Sequence, residues 1–286
     1  MKRGEDSKDH LPPWRIKDRL LRLGSPLVMG IINATPDSFH AASRTAGDAV
    51  LRMAENMLGN GAAILDIGGA SSRPGAAPIE AQEEMDRLLP LVHTIHQEFP
   101  HALISVDTYR AAVASEAVKA GAGMVNDISA GSMDVDMLST VAALHVPYVL
   151  MHMQGVPATM QRAPHYDDVV REVVLFLSQR LHAARAAGIP DVIVDPGFGF
   201  GKTTAHNFKL LAALPAIAAL GVPVLAGLSR KRMINEVLGT TPAEALNGTT
   251  VLHAMALAKG AHILRTHDVK EAVQCIRLFR FARENR

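Results

Sequence analysis

Val28-Met-Gly-Ile-Ile-Asn33 is an apolar run that ends on an amide, and the same design recurs seven more times. The other runs are Ala63-Ile-Leu-Asp66, Leu103-Ile-Ser-Val-Asp107, Gly123-Met-Val-Asn126, Tyr148-Val-Leu-Met-His152, Val192-Ile-Val-Asp195, Val224-Leu-Ala-Gly-Leu-Ser229 and His262-Ile-Leu-Arg265. They are continuous rather than alternating, which is how parallel strands covered on both faces read. Helical patterns separate them, so the chain is a series of βαβ units. Eight strand candidates predict an α/β fold closed as a (β/α)8 TIM barrel. An open doubly wound sheet is the alternative, because closure is not written in a sequence. In a barrel the eight polar ends share one face, the face that carries catalysis.

A second feature punctuates the chain. Helical stretches stop at Gly61, Gly121, Gly188, Gly221 and Gly260, each a few residues before a strand. Glycine adopts the left-handed conformation that closes a helix. Before Gly61, the residues Ala49, Val50, Met53, Ala54, Met57 and Leu58 fall on one face of a helix, with Arg52, Glu55 and Asn56 off it, the period of a surface helix with one buried stripe. The βα connections Asn33 to Arg44 and Gly68 to about Ala81 are long, as loops over a functional face often are. Residues 14–24 predict a short hairpin closing the barrel bottom. We read residues 1–13 as a flexible tail and 14–286 as one domain.

Composition narrows the function classes. The chain has 286 residues, 48% of them hydrophobic, and a net charge of +1. That length suits one large barrel, although it also allows two ordinary domains. No bulk field draws the chain to nucleic acid or an acidic membrane, and 4% aromatic residues make a poor base-stacking platform. The single Cys275 excludes an internal disulfide and fits a buried, inert thiol in a reducing compartment. Residues 1–13 lack the apolar core of a signal peptide. Leu210 to Ser229 carries no charge, but Pro215, Gly221, Pro223 and Gly227 interrupt it, which reads as helix, turn and strand rather than a membrane span. A cytoplasmic, soluble protein is expected.

Asp195-Pro-Gly-Phe-Gly-Phe-Gly-Lys202-Thr203 resembles a phosphate loop and fails the test, because Pro196 occupies the position of the first required glycine. Its three glycines either let the backbone approach a ligand or only shape a tight turn. Ser229-Arg230-Lys231-Arg232 should open a helix, where clustered cations oppose the dipole and so call for an anion or for solvent. Arg265 and His267, two residues apart, can face one anion. Asp107, Asn126 and Asp195 suit a flat heterocycle with amino, imino and oxo edges, or else cap helices. No nucleophile constellation and no zinc spacing emerge. An anionic substrate would bring Mg²⁺, for which Asn33 offers an oxygen.

The residues then match a family. Met29-Gly-Ile-Ile-Asn-Ala-Thr-Pro-Asp-Ser-Phe39, Gly68-Gly-Ala-Ser-Ser-Arg-Pro-Gly75, Val106-Asp-Thr108, Val125-Asn-Asp-Ile128 and Leu150-Met-His-Met-Gln-Gly155 stand in the order seen in dihydropteroate synthases. Asp195 to Lys202, Ser229-Arg-Lys231 and Arg265-Thr-His267 complete the set. From about residue 14 to the C-terminus the chain resembles that pterin-binding family. The resemblance implies a transferase that joins p-aminobenzoate to a dihydropterin diphosphate, releasing diphosphate and forming dihydropteroate for folate synthesis. It implies a pterin site of Asp107, Asn126, Met151, Asp195 and Lys231. It implies a diphosphate site of Asn33, Ser72, Arg73, Arg265, Thr266 and His267, with Mg²⁺ at Asn33. Phe39, Ser72, Pro74, Phe200 and Lys231 would form the p-aminobenzoate pocket, where sulfonamides compete. Catalysis would rest on Asp107, Lys231, Arg265, His267 and Arg73, in a homodimer.

Three positions depart from the family pattern. Ala41 stands where an acid follows the first-loop Phe-Ser, with Asp37 or His40 as substitutes. Ala70 and Ser72 stand for Glu and Thr, and Arg232 for Ser. Two other readings share the fold: a barrel moving a methyl group from a folate to a corrinoid, and a non-catalytic pterin-binding barrel. The cations Arg73, Lys231, Arg265 and His267 favour the synthase over both. On sequence alone, Arg265 is expected to act on substrate charge, with little bearing on stability.

Overall fold

The computed structural model describes residues 13–16, 19–21, 24–34, 44–70 and 78–285. A hairpin of β1 (Trp14–Ile16) and β2 (Arg19–Leu21) comes first. The barrel strands are β3 (Leu27–Asn33), β4 (Ile64–Gly68), β5 (Leu103–Asp107), β6 (Met124–Asp127), β7 (Tyr148–Met151), β8 (Val192–Asp195), β9 (Leu225–Ala226) and β10 (Ile263–Thr266). They pair in parallel in the order β8-β7-β6-β5-β4-β3-β10-β9. A parallel bridge between Val194 and Val224 joins the two outer strands, and the Val194 N–H donates to the Pro223 carbonyl at 2.9 Å. The sheet therefore curls into a barrel rather than staying open.

Helices α1 (Arg44–Gly59), α2 (Ala81–Glu98), α3 (Ala111–Lys119), α4 (Met137–Leu144) and α5 (Val169–Ala186) follow the first five barrel strands in turn. Then α6 (Thr204–Ala212) and α7 (Leu214–Ala218) follow β8, α8 (Arg232–Leu238) and α9 (Leu246–Ala258) follow β9, and α10 (Val269–Glu284) follows β10. The uncharged stretch from Leu210 thus resolves into helix, turn and strand. No helix among the described residues is long and apolar enough to cross a membrane. The five glycine joints all have positive φ, from 74° at Gly221 to 123° at Gly121. At Gly121 a Cβ would lie 2.4 Å from the His96 ring, so space as well as φ demands glycine.

Strand side chains alternate, and this sorts the barrel interior into layers. Met29, Ile64, Met124, Val149, Ile193, Leu225 and Ile263 form one buried apolar layer. Trp14, 2% exposed, packs into it from the hairpin, so the hairpin plugs the barrel's N-terminal mouth. Two residues further along the same strands come Ile31, Asp66, Asn126, Met151, Asp195, Gly227 and Arg265. The change from all-apolar to largely polar within two residues per strand sets the floor of the site.

Trp14→Ala should cost about 3–5 kcal/mol of stability, the range for emptying a buried aromatic site. Urea unfolding measures it. A loss below about 1 kcal/mol would mean that the hairpin packs on the barrel without sealing it.

Candidate active site

A cavity of about 780 Å³ opens at the C-terminal ends of the strands, and Asn33, Asp107, Phe200, Lys231, Arg265 and His267 are among the residues that line it. Its organising contact crosses the barrel. Arg265, on β10, donates from Nε to Asp66 Oδ2 at 2.6 Å and from Nη2 to Asp107 Oδ2 at 2.7 Å. Asn126 Nδ2 donates to the same Asp66 oxygen at 3.0 Å. Asp66 is fully buried, whereas Asp107 keeps 15% of its side chain accessible. Burial pushes the Asp107 carboxyl up to about 7, against the pull of Arg265. Burial would lower the Arg265 pKa, and Asp66 and Asp107 more than reverse that, leaving it raised. Arg265 therefore stays cationic, and Asp107 sits where modest changes in its surroundings decide its charge.

Asp195 and Lys231 form the opposite wall. Asp195 Oδ1 accepts from the Gly197 N–H at 2.7 Å. Burial raises its pKa, and the Gly197 N–H and Lys231 oppose the rise. Lys231 Nζ lies 4.4 Å from the centre of the Phe200 ring, a cation–π distance. Burial brings its ammonium down to about 8, with Asp195 holding it up. Phe200 and Met151 pack with Ile128 and Met160 as an apolar patch beside these charges.

His267 is the quieter group. Burial, reinforced by Arg265, lowers it to about 4, so the ring is neutral at pH 7. Ser229 Oγ accepts the His267 backbone N–H at 3.2 Å and lies 3.0 Å from Nδ1. When the Ser229 hydroxyl donates to Nδ1, the ring proton lies on Nε2 as a hydrogen-bond donor. Thr266 departs from its expected place. It is fully buried, and its Oγ1 accepts the Asp268 N–H at 3.1 Å, so its hydroxyl serves the turn and not a ligand. Ser72, Arg73, Pro74 and Phe39 lie outside the described residues, as does Ala41.

The glycine-rich segment has an internal reason. A Cβ at Gly197 would come within 1.9 Å of the His152 carbonyl, and one at Gly201 within 2.4 Å of the Gln154 carbonyl. The close approach is mainly to the neighbouring loop. Gly199 alone faces the site, where a Cβ would stand 3.2 Å from Lys231 Cδ. Lys202 ties the knot: Nζ donates to the carbonyls of Gly197 (2.9 Å) and Phe200 (3.0 Å) and to His152 Nδ1 (2.9 Å). Burial pushes Lys202 down to about 7 and His152 to about 2, so the imidazole is neutral.

The three adjacent cations, of which the resemblance assigned only Lys231 to the site, make different contacts. All three line the cavity, but Arg230 pairs with Asp268, Lys231 lies over the Phe200 ring, and Arg232 pairs with Glu236 while 76% exposed. Glu236 also accepts from the Thr204 hydroxyl. The sequence did not single out Asp66, Ser229 or Lys202 as site residues. Asp66 carried a signal, a carboxylate flanked by Ile64, Leu65 and Ile67 in a fully buried strand, which is rare without a partner. Asp127, beside Asn126, accepts from the N–H groups of Ser129 (2.7 Å) and Gly131 (2.6 Å) and from the Tyr148 hydroxyl (2.6 Å), and so anchors the end of β6.

The sequence profile of the pterin binding enzymes matches residues 29–267. The chain belongs to the pterin-binding enzyme family. Among the pterin-binding enzymes it is similar to the dihydropteroate synthase of Escherichia coli K12, 44% identical over 262 residues, covering 90% of this chain and 92% of that protein. The solved structure of the Xanthomonas albilineans dihydropteroate synthase with 4-aminobenzoic acid superposes with a TM-score of 0.88 at 44% identity, over 95% of this chain and 98% of that one. The complex of the enzyme from the same organism with 7,8-dihydropteroate gives 0.85 at 42% identity, over 95% and 99%.

Arg265→Ala leaves Asp66 and Asp107 facing each other with no cation between them. Breaking a buried pair in this way costs about 3–5 kcal/mol, so the expectation of little effect on stability is revised. Urea unfolding should show a large loss for Arg265→Ala and a smaller one for Asp66→Asn, whose amide is neutral. An unchanged midpoint for Arg265→Ala would show that the network does not hold the fold.

Proposed function

We propose that this chain condenses 6-hydroxymethyl-7,8-dihydropterin diphosphate with p-aminobenzoate, giving 7,8-dihydropteroate and diphosphate. The observation that carries this reading is the cross-barrel contact of Arg265 with Asp66 and Asp107, facing Lys231 and Asp195. It combines acceptors for a planar heterocycle with cations for a departing anion. Membership of the family and the likeness to dihydropteroate synthases support it.

In the reaction the bond between the pterin methylene carbon and the diphosphate oxygen breaks, and its electron pair leaves with diphosphate. Asp195 and Asn126 accept from and donate to the pterin edges, and Asp107 offsets the positive charge that grows on the pterin as the bond lengthens. Arg265 and the Nε2–H of His267 take the diphosphate oxygens, with Asn33, Ser72 and Arg73 from the two long loops. The aryl amine lone pair then forms the new C–N bond and sheds a proton to diphosphate or water. The carbon is strongly electrophilic, so no protein nucleophile is needed. Phe200, Lys231, Phe39, Ser72 and Pro74 form the p-aminobenzoate pocket, which sulfonamides would share. Asn33, half-buried at the end of β3 and lining the cavity, presents one neutral oxygen. That suits Mg²⁺, which takes one or two protein oxygens and fills its shell with phosphate and water. When bound, Mg²⁺ supplies further neutralisation of the diphosphate.

We place the protein in the cytoplasm, as an enzyme of folate synthesis acting on small molecules, with no nucleic-acid or membrane partner. A homodimer is supported by exposed apolar side chains on the last two helices: Val251 on α9, and Leu278 and Phe281 on α10, 51%, 74% and 69% exposed.

Dihydropteroate formation should require both p-aminobenzoate and Mg²⁺ and release one diphosphate per product, as read by a coupled diphosphate assay with product chromatography. Tight pterin binding without turnover would point instead to a binding protein. The pH profile gives a second check. Asp107 acts as an anion and loses its charge as pH falls through about 7, so kcat/KM for the dihydropterin diphosphate should decline below that pH. The residual activity of Asp107→Asn should lack this limb, and a limb that persists would assign it elsewhere.

A further inference from the structure

The turns that follow β9 and β10 are joined by two adjacent rungs. Ser229 meets His267 through the two contacts already described. One residue along each chain, Arg230 meets Asp268 as a fork, with Nε donating to Oδ2 at 2.9 Å and Nη2 to Oδ1 at 2.7 Å. Arg230 Nη1 donates to the carbonyls of Pro242 (2.7 Å) and Ala243 (3.0 Å), and its backbone N–H donates to Thr249 Oγ1 at 3.0 Å.

Two features show that local structure gives way to this pairing. Arg230 has φ +53°, the left-handed region that residues with a Cβ occupy at a cost. Asp268 stands at the N-cap of α10 yet makes no side-chain bond to that helix, although Asp is among the preferred capping residues. Its carboxylate is committed across to the neighbouring turn instead. The residues beside the pair are Lys231 on one turn and His267 on the other, and both line the cavity; Arg230 borders it too, with its guanidinium engaged by Asp268, Pro242 and Ala243.

We propose that Arg230 and Asp268 are a positioning pair for the transfer reaction, acting through the fork between them to fix Lys231 and the His267 ring relative to each other. A left-handed residue bends the chain sharply after β9, and the fork holds that bend against β10. The planar guanidinium sets both distance and angle, which a lysine cannot do. The proposal rests on the reading of Lys231 and His267 as ligand-binding groups.

The test uses Asp268→Ala, Asp268→Asn, Arg230→Lys and Arg230→Gly in the full chain. Asp268→Asn keeps the side-chain shape and covers the case in which Asp268→Ala does not fold. Glycine accepts φ +53° without strain, so Arg230→Gly keeps the bend and removes the guanidinium with its bonds to Asp268, Pro242 and Ala243, whereas Asp268→Ala removes the fork alone. Misplacement of a catalytic group by about 1 Å costs about 100-fold in rate, so kcat should fall by that order in Arg230→Gly and Asp268→Ala. Arg230→Lys should not rescue it, and KM for p-aminobenzoate should change far less. Imidazole ¹⁵N spectra of His267 should move in the same variants, and calorimetry should show weaker binding of inorganic diphosphate. Variants that lose thermal stability but keep the wild-type kcat and His267 spectrum would overturn the proposal. A wild-type protein with no turnover would instead sink the reading of function, and the His267 spectra would still decide whether the pair holds that ring.

Discussion

A guanidinium lodged between two carboxylates inside a parallel barrel is the contact on which the site depends. Asp66, Asp107 and Arg265 come from β4, β5 and β10, and the Arg265–Asp66 contact spans 199 residues of sequence. None of the three could be placed there alone. A fully buried carboxylate without a partner would be neutral or would push the fold apart, and a second one beside it doubles the difficulty. One delocalised cation answers both. Pairs of this kind add little stability over apolar packing, but they punish every arrangement that separates the partners. Here Asp66 fixes Nε of the guanidinium and the Asn126 amide on a single oxygen, so the pterin and diphosphate ends of the site are set by one residue that touches neither. Nη1 is the nitrogen that neither carboxylate engages.

The layering of the barrel makes this arrangement possible. Below the charges lies an apolar layer sealed by Trp14, so water does not reach them from the N-terminal mouth. The site's charges alternate around the wall rather than cluster by sign, with Arg265 between Asp66 and Asp107, and Lys231 facing Asp195. The whole chain is nearly neutral, and so is this wall. Selectivity for an anionic leaving group comes from where the cations stand and not from their excess.

Much of this was legible in the sequence because it follows the chain. Apolar runs ending on polar residues gave eight strands and their common face, and glycine joints marked the helix ends. What stayed hidden runs across the chain. The run ending at Asp66 looked finished, but β4 continues to Gly68, which places the carboxylate inside the barrel instead of at its rim. Arg230, Lys231 and Arg232 are consecutive cations with no local difference between them; the resemblance picked out Lys231, but the contacts with Asp268, Phe200 and Glu236 that separate the three lie across the chain. Three glycines before Lys202 suggested a ligand, yet two of them make room for the loop that follows the neighbouring strand β7. Thr266 read as part of a polar trio, and strand alternation turned it away.

The depth of the cations has a consequence for how the protein meets its surroundings. Charges at a surface lose their reach as dissolved ions gather around them, over about 8–10 Å at physiological ionic strength. Arg265 keeps only 19% of its side chain accessible, and Lys231 lies against an aromatic ring within the cavity wall. Mobile ions cannot surround such groups, so their pull on an anion that enters the cavity is screened far less than that of a rim lysine. With a net charge of +1, the chain also exerts little long-range pull for salt to weaken. A site built this way captures its ligand by fit on arrival rather than by attraction from a distance, and its affinity should be largely indifferent to the ionic strength of the medium.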